Sequence, residues 1–175
     1  TVGKARALLG LGRFPEAAAV AAMVTPGYVG TITAPFPALI ISFQSFDAAV
    51  AVSNREGGSG IDFVSADDPR VPLDSVREAS FGTPGTILYA PTSYYQTSYP
   101  NIVVASDVEA QLIQAEAQLQ PADNPSGPWL ATLNALRATV ALPDTTDPGT
   151  AAGRVDLLFR ERAFWLFGTA HRLGD

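Results

Sequence analysis

Residues 106–119 read SDVEAQLIQAEAQL. A serine just ahead of an apolar run, with glutamate three residues later, is a capping box: Ser106 accepts from the first-turn amides and Glu109 bonds back to the cap. Val108, Leu112, Ala115 and Leu119 then recur at helical spacing, which predicts a helix with one apolar stripe and the carboxylates of Glu109 and Glu116 near its flank. Pro121 ends the pattern. After the Asp123–Gly127 turn run, a second helix is expected from about Pro128, presenting Leu130, Leu133, Leu136 and Val140, and these two helices should pair.

A Pro/Gly-rich connection over 142–153 leads to GRVDLLFRERAFWLFGTAHRLGD, residues 153–175. Asp156 and Arg160 stand one helical turn apart, and the Leu, Phe and Trp content of 155–167 predicts burial on more than one face. Arg160, Glu161 and Arg162 interrupt that apolar surface. They read either as a solvated charge cluster or as an interhelical bonding network with Glu109 or Glu116 as partner. Such a pair specifies packing rather than chemistry, because a carboxylate beside arginine is held charged and makes a poor general acid.

Upstream, KARALLGLGRFPEAAAVAAMV, residues 4–24, places Leu8, Leu9, Leu11, Phe14, Ala17, Val20, Ala21 and Val24 near a helical period broken at Gly12-Arg13. Two helices are expected, with Gly12 in the turn and Pro15 in the first turn of the second. The spacing is similar to that of a tetratricopeptide (TPR) hairpin. Residues 25–105 are punctuated by Pro and Gly and read as an irregular region with room for short strands. Phe36 to Val52 fits a strand or a buried helix equally, and Asn54–Gly60 reads as a turn that lacks the Lys-Ser/Thr of a phosphate loop. Tyr89, Tyr94, Tyr95 and Tyr99 concentrate late in this region. Their rings can form a platform for a ligand, or close a loop over the core.

Composition narrows the chemistry. The 175 residues hold no cysteine and one histidine, His171, with 11 Lys+Arg against 17 Asp+Glu for a net charge of −6. Thiol chemistry, disulfides, zinc-thiolate sites and paired-histidine metal sites are excluded, and neither a metal nor a cofactor is expected. A Ser-His-Asp arrangement would have to use His171, for which no partner is identified. The acidic balance disfavours nucleic acid as a partner. No run of about 18 apolar residues occurs, so no transmembrane segment is expected in this chain, and the residues as given open with no secretory leader. Fifteen Gly and 14 Pro, about one residue in six, predict long irregular connections. The fold class expected is mainly α, a TPR-like helical scaffold with long irregular loops and short strands: a hairpin over 1–24, a loop-rich region over 25–105 and a helical core segment over 106–175.

The order of these features resembles the SusD/RagB family of outer-membrane nutrient-binding lipoproteins. The resemblance rests on the early alanine-rich helix, Asp68-Pro69-Arg70, Glu109 with Ala115-Glu116-Ala117, Leu133-Asn134 with Arg137, and Glu161-Arg162 followed by His171-Arg172 and Asp175. The terminal motif departs from the family at Trp165, Thr169, Ala170 and Leu173. The family is usually much larger, so the chain is expected to be a compact divergent member or a fragment, a single domain over 1–175. The resemblance implies a TPR-like scaffold that captures nutrient without catalysis and hands it to a TonB-dependent outer-membrane transporter. It also implies a position on the cell-surface side of the outer membrane, through a lipid anchor upstream of this chain.

An oligosaccharide is the ligand expected first, and a peptide nutrient second. The candidate surface is Tyr89, Tyr94, Tyr95, Tyr99 and Trp129 for stacking, with Asp67, Asp68 and Arg70 at the rim. The structural network is Ser106, Glu109, Glu116, Asn134, Arg137, Arg160, Glu161, Arg162, His171, Arg172 and Asp175. The alternative is a TPR-like protein-interaction scaffold without small-ligand binding. A hydrolase ranks third, because the adjacent Asp67-Asp68 and the nearby Asp144 and Asp147 do not establish two carboxylates across a scissile bond.

Overall fold

A computed structural model describes residues 1–33, 52–55, 60–78, 87–92, 101–121 and 127–169. The expectations for Phe36–Val52, Tyr94, Tyr95, Tyr99, His171, Arg172 and Asp175 fall outside these residues, apart from Val52 itself. The described elements run in the order α1 (Val2–Gly10), α2 (Phe14–Ala21), β1 (Val29–Thr33), β2 (Leu73–Glu78), β3 (Ile87–Pro91), β4 (Asn101–Ser106), α3 (Asp107–Gln118), α4 (Trp129–Ala138) and α5 (Ala151–Trp165). The fold is mixed and leans to α. The chain divides into two units, one of Thr1–Thr31 with Val103–Asp175, the other of Ile32–Ile102.

In the first unit, α1 and α2 form the expected hairpin. Gly12 takes φ +70, where a side chain would be strained, and Pro15 lies in the first turn of α2, where its missing N–H costs nothing. Ala5, Leu8, Ala17 and Ala21 are buried between the helices and against Ala110 and Ile113 of α3. Leu11, expected on the apolar stripe, is instead 71% exposed, because it sits past the end of α1 at the turn.

The helix α3 is the centre of this unit. Its stripe of Leu112 and Ala115, continued by Leu119 just past its end, packs with Trp129, Leu133 and Leu136 of α4, with Leu158 of α5 and with Leu166. Ala110 and Ile113 face α1 and α2. Burying one Leu-sized side chain contributes about 1.5–3 kcal/mol, so a helix buried on two faces fixes its neighbours on both sides. Ser106 caps α3 by accepting from the Glu109 amide at 3.1 Å. The reciprocal half of the capping box is absent, since the Glu109 carboxylate turns to Arg6 at 2.7 Å. The strands β1 and β4 pair in a two-stranded sheet.

The helix α5 begins at Thr150, whose hydroxyl accepts from the Gly153 amide at 3.1 Å. Just ahead of it, Asp147 accepts from Arg154 Nε at 2.8 Å and from the Gly149 amide at 2.9 Å. The Arg154 hydrogen bond first, then the Gly149 amide, holds the Asp147 carboxyl below its ordinary 3.8. A depressed carboxylate contributes stability that is fully present above the unfolded value and is lost as pH falls through the folded one. Asp147→Asn is therefore expected to flatten the acid limb of the stability profile below 3.8 while leaving its shape near neutrality unchanged, as read by thermal melts across pH.

In the second unit, β2 and β3 pair antiparallel, with Leu73 opposite Pro91 and Ser75 opposite Tyr89, and with a bulge between Ser75 and Arg77. The Val52 amide donates to Tyr89 O at 2.8 Å, and the Thr92 amide to Pro72 O at 2.9 Å, which extends the pairing beyond the ladder.

Candidate functional site

The chain between Asp62 and Leu73 is ordered by its own short-range bonds. The Ala66 amide donates to Asp62 O at 2.9 Å, closing one turn, and Asp67 follows at φ +47. Aspartate tolerates this left-handed conformation better than most residues. Asp68 then starts a turn closed by the Val71 amide on Asp68 O at 2.9 Å, with Pro69 supplying the preset φ of its second position. Asp68 Oδ1 accepts from the Arg70 amide at 3.0 Å and from Arg70 Nε at 2.8 Å, while Oδ2 accepts from Nη2 at 2.7 Å. The Ser65 amide donates to Asn54 Oδ1 at 2.7 Å, tying residues 52–55 to this loop.

The loop and the β2–β3 pair enclose a groove of about 490 Å³. Phe63, Val71 and Leu73 contribute apolar wall; Asp67, Asp68 and Asp74 contribute carboxylates; Tyr89 and Thr92 contribute a ring and hydroxyls. Ligand sites for small molecules occupy about 300–1,000 Å³ and combine apolar walls with a few placed polar groups, and this groove has both properties. Its polar groups are chiefly acceptors, suited to hydroxyl or amine donors on a ligand whose apolar face meets the ring.

Three of the residues expected at the ligand surface, Asp67, Asp68 and Tyr89, come together here. Two do not. Arg70 was expected at the rim, but its side chain is 3% exposed and clamped to Asp68, so it shapes the loop instead of meeting a ligand. Trp129 was expected on the stacking platform, but it is fully buried in the helical core, where no ligand reaches its ring. Asp74 and Thr92 were not singled out from the sequence. Both lie in segments rich in Pro that read as loop, and only the strand pairing brings them to the groove.

The charged residues of the helices form an interhelical network. Arg162 donates to Glu116 at 3.0 Å, and Arg137 to Glu161 at 2.5 Å and to Pro143 O at 2.7 Å. Glu109 pairs with Arg6, not with the α5 arginines. The Asn134 side chain exchanges two hydrogen bonds with the Thr145 backbone, at 3.0 and 2.9 Å, which holds the connection between α4 and α5. Arg160 lies over the Phe164 ring, 5.0 Å from its centre. Among the described residues no group of three or more His, Asp or Glu side chains is placed to hold a metal ion, and no helix is long and apolar enough to cross a membrane.

Comparison with protein-family models, with curated proteins and with solved structures returns no match.

Proposed function

We propose that the chain captures a small polar nutrient, an oligosaccharide, without catalysis, in the groove beside Asp67 and Tyr89. The observation that carries this reading is the convergence, on one groove of about 490 Å³, of an aromatic ring, apolar wall and hydrogen-bond acceptors from two stretches of chain, 63–74 and 89–92. Sugars offer an apolar face for the Tyr89 ring and rim hydroxyls for Asp67, Asp74 and Thr92. Asp68 is engaged by Arg70 and shapes the loop, so the reading assigns the ligand contacts to the other groove residues. The resemblance to SusD/RagB lipoproteins extends the proposal. The helices act as a TPR-like frame, the protein sits on the cell-surface side of the outer membrane through an upstream lipid anchor, and a TonB-dependent transporter receives the ligand.

Calorimetry with a panel of neutral oligosaccharides and peptides tests this. Saturable oligosaccharide binding is expected, weakened about tenfold by Tyr89→Ala, the equivalent of about 1.4 kcal/mol. Asp67→Asn is expected to weaken it by a similar factor while tolerating the same backbone conformation. Binding of peptides alone would replace the ligand class, and absence of saturable heat with every sugar would remove the proposal.

A second reading, a protein-interaction scaffold, is favoured by the exposure of Met23 (74%), Val29 (57%) and Tyr28 (46%) in the first unit. Co-purification with a transporter, in the absence of any small-ligand binding, would support it.

A further inference from the structure

The groove beside Asp67 and Tyr89 has two walls, the 63–74 stretch and the 89–92 stretch. The β2–β3 ladder and the Thr92 amide on Pro72 O, at 2.9 Å, join them directly. Residues 52–55 join them a second time, as a strap. The Val52 amide donates to Tyr89 O at 2.8 Å, and two residues later Asn54 Oδ1 accepts from the Ser65 amide at 2.7 Å. The Arg55 amide donates to Ser53 Oγ at 3.0 Å, which fixes the bend of the strap itself. Neither Val52 nor Asn54 lines the groove.

Two residues of chain span at most about 7 Å, so the strap holds the Ser65 backbone close to that of Tyr89. Ser65 belongs to the turn closed by the Ala66 amide on Asp62 O, and Asp67 leaves that turn at φ +47. Where Ser65 is held therefore decides where the Asp67 carboxylate points. Phe63 and Val71, each 3% exposed, anchor the loop on either side, and the Asn54 side chain holds the exposed stretch between them. A solvent-exposed hydrogen bond of this kind contributes little to global stability, because water replaces either partner when it breaks. What it fixes is position.

We propose that Asn54 is a positioning residue for this groove: through the 52–55 strap it sets the spacing between the Asp67 carboxylate and the Tyr89 ring that a bound sugar must bridge. This role rests on the reading of the groove as an oligosaccharide site. A sugar ring stacked on Tyr89 carries its hydroxyls at fixed distances, and a carboxylate displaced by about 1 Å falls outside hydrogen-bond reach of them. The Asn54 side chain suits the task because its amide oxygen accepts from Ser65 without adding a charge beside the groove carboxylates.

The test uses the full chain and calorimetry with cellotriose, maltotriose, xylotriose and triacetylchitotriose, the tightest binder of the four serving as probe. Asn54→Ala is expected to raise its Kd about three- to tenfold. Asn54→Asp keeps an acceptor for the Ser65 amide and is expected to stay within about twofold of the parent. Val52→Pro removes the donor at the other end of the strap, and it is expected to repeat the loss even if the Asn54 variants fold poorly. The deciding readout is coupling to the ring. A strap that acts through spacing has nothing to hold once the ring is gone, so in the Tyr89→Ala background Asn54→Ala is expected to add less than about a 1.5-fold loss. A merely structural residue would cost the same in both backgrounds. Equal binding by the parent and Asn54→Ala, or losses at Asn54 and Tyr89 that multiply, would overturn the positioning role and leave the oligosaccharide site standing. No saturable heat with any of the four sugars in the parent would remove both.

Discussion

Trp129→Ala is expected to lower the unfolding free energy by about 3–5 kcal/mol, a large part of what a domain of this size possesses. Trp129 is fully buried at the first position of α4, packed with Leu112, Ala115, Leu119, Leu133 and Leu158. The turn leading into it is tight: a Cβ on Gly127 would stand 2.6 Å from Gln118 O and 3.4 Å from Trp129 Cδ1, so α4 has little freedom to settle into a vacated space. An unrelaxed cavity adds its own cost to the lost transfer energy. Trp129→Phe is expected to cost far less, within about 2 kcal/mol. The indole Nε1 is buried with no hydrogen-bond partner among the described residues, and removing such a donor recovers about 1–3 kcal/mol that offsets the lost ring area. Urea unfolding followed by circular dichroism measures both variants. A midpoint shift in the Ala variant smaller than that in the Phe variant would show that the ring is not the keystone of α3, α4 and α5.

The same tryptophan shows where sequence reading stops. The start of α4 at Pro128 was legible because a proline in front of an apolar period is a local signal, but whether the aromatic behind it faces solvent or core depends on which helix crosses it. The helix α3 makes the point again. Its stripe of Leu112, Ala115 and Leu119 could be read from spacing, whereas its second buried face, Ala110 and Ile113, consists of one small and one branched residue that leave only a faint periodic trace. Pairing of charges was less legible still. Glu109 finds Arg6 from 103 residues away, a distance at which sequence spacing carries no information. The groove was half visible: Asp67, Asp68 and Tyr89 stood out as residue types, while Asp74 and Thr92 reached it through a strand pair interrupted by a bulge and flanked by prolines. The Asp68-Pro69-Arg70 turn was visible as a loop, and its arginine was misassigned because a guanidinium next to an aspartate reads equally well as a ligand contact or as a clamp.

Glu161→Ala is expected to destabilise the first unit by about 3–5 kcal/mol, and the reason lies in what it leaves behind. The Glu161 side chain is 2% exposed and that of its partner Arg137 14%, so the alanine variant strands a guanidinium where water replaces the lost carboxylate poorly. Arg137 keeps its bond to Pro143 O, which satisfies one donor and no charge. The next residue, Arg162, reaches a different helix through Glu116, with side chains 8% and 16% exposed. Consecutive residues of α5 therefore bind α4 and α3 separately, and this sets the rotation of α5 as well as its attachment. Replacing both members of the first pair with apolar groups, Arg137→Met with Glu161→Leu, removes the attraction together with both desolvation costs, and the double variant is expected within about 2 kcal/mol of the parent. A double-mutant cycle by urea unfolding reads the difference directly. Coupling of at least about 1.5 kcal/mol is expected between Arg137 and Glu161, and little between Glu161 and Glu116, which share no bond. Additive single losses at Arg137 and Glu161 would mean that the pair is held by the packing around it and contributes nothing to the placement of α5.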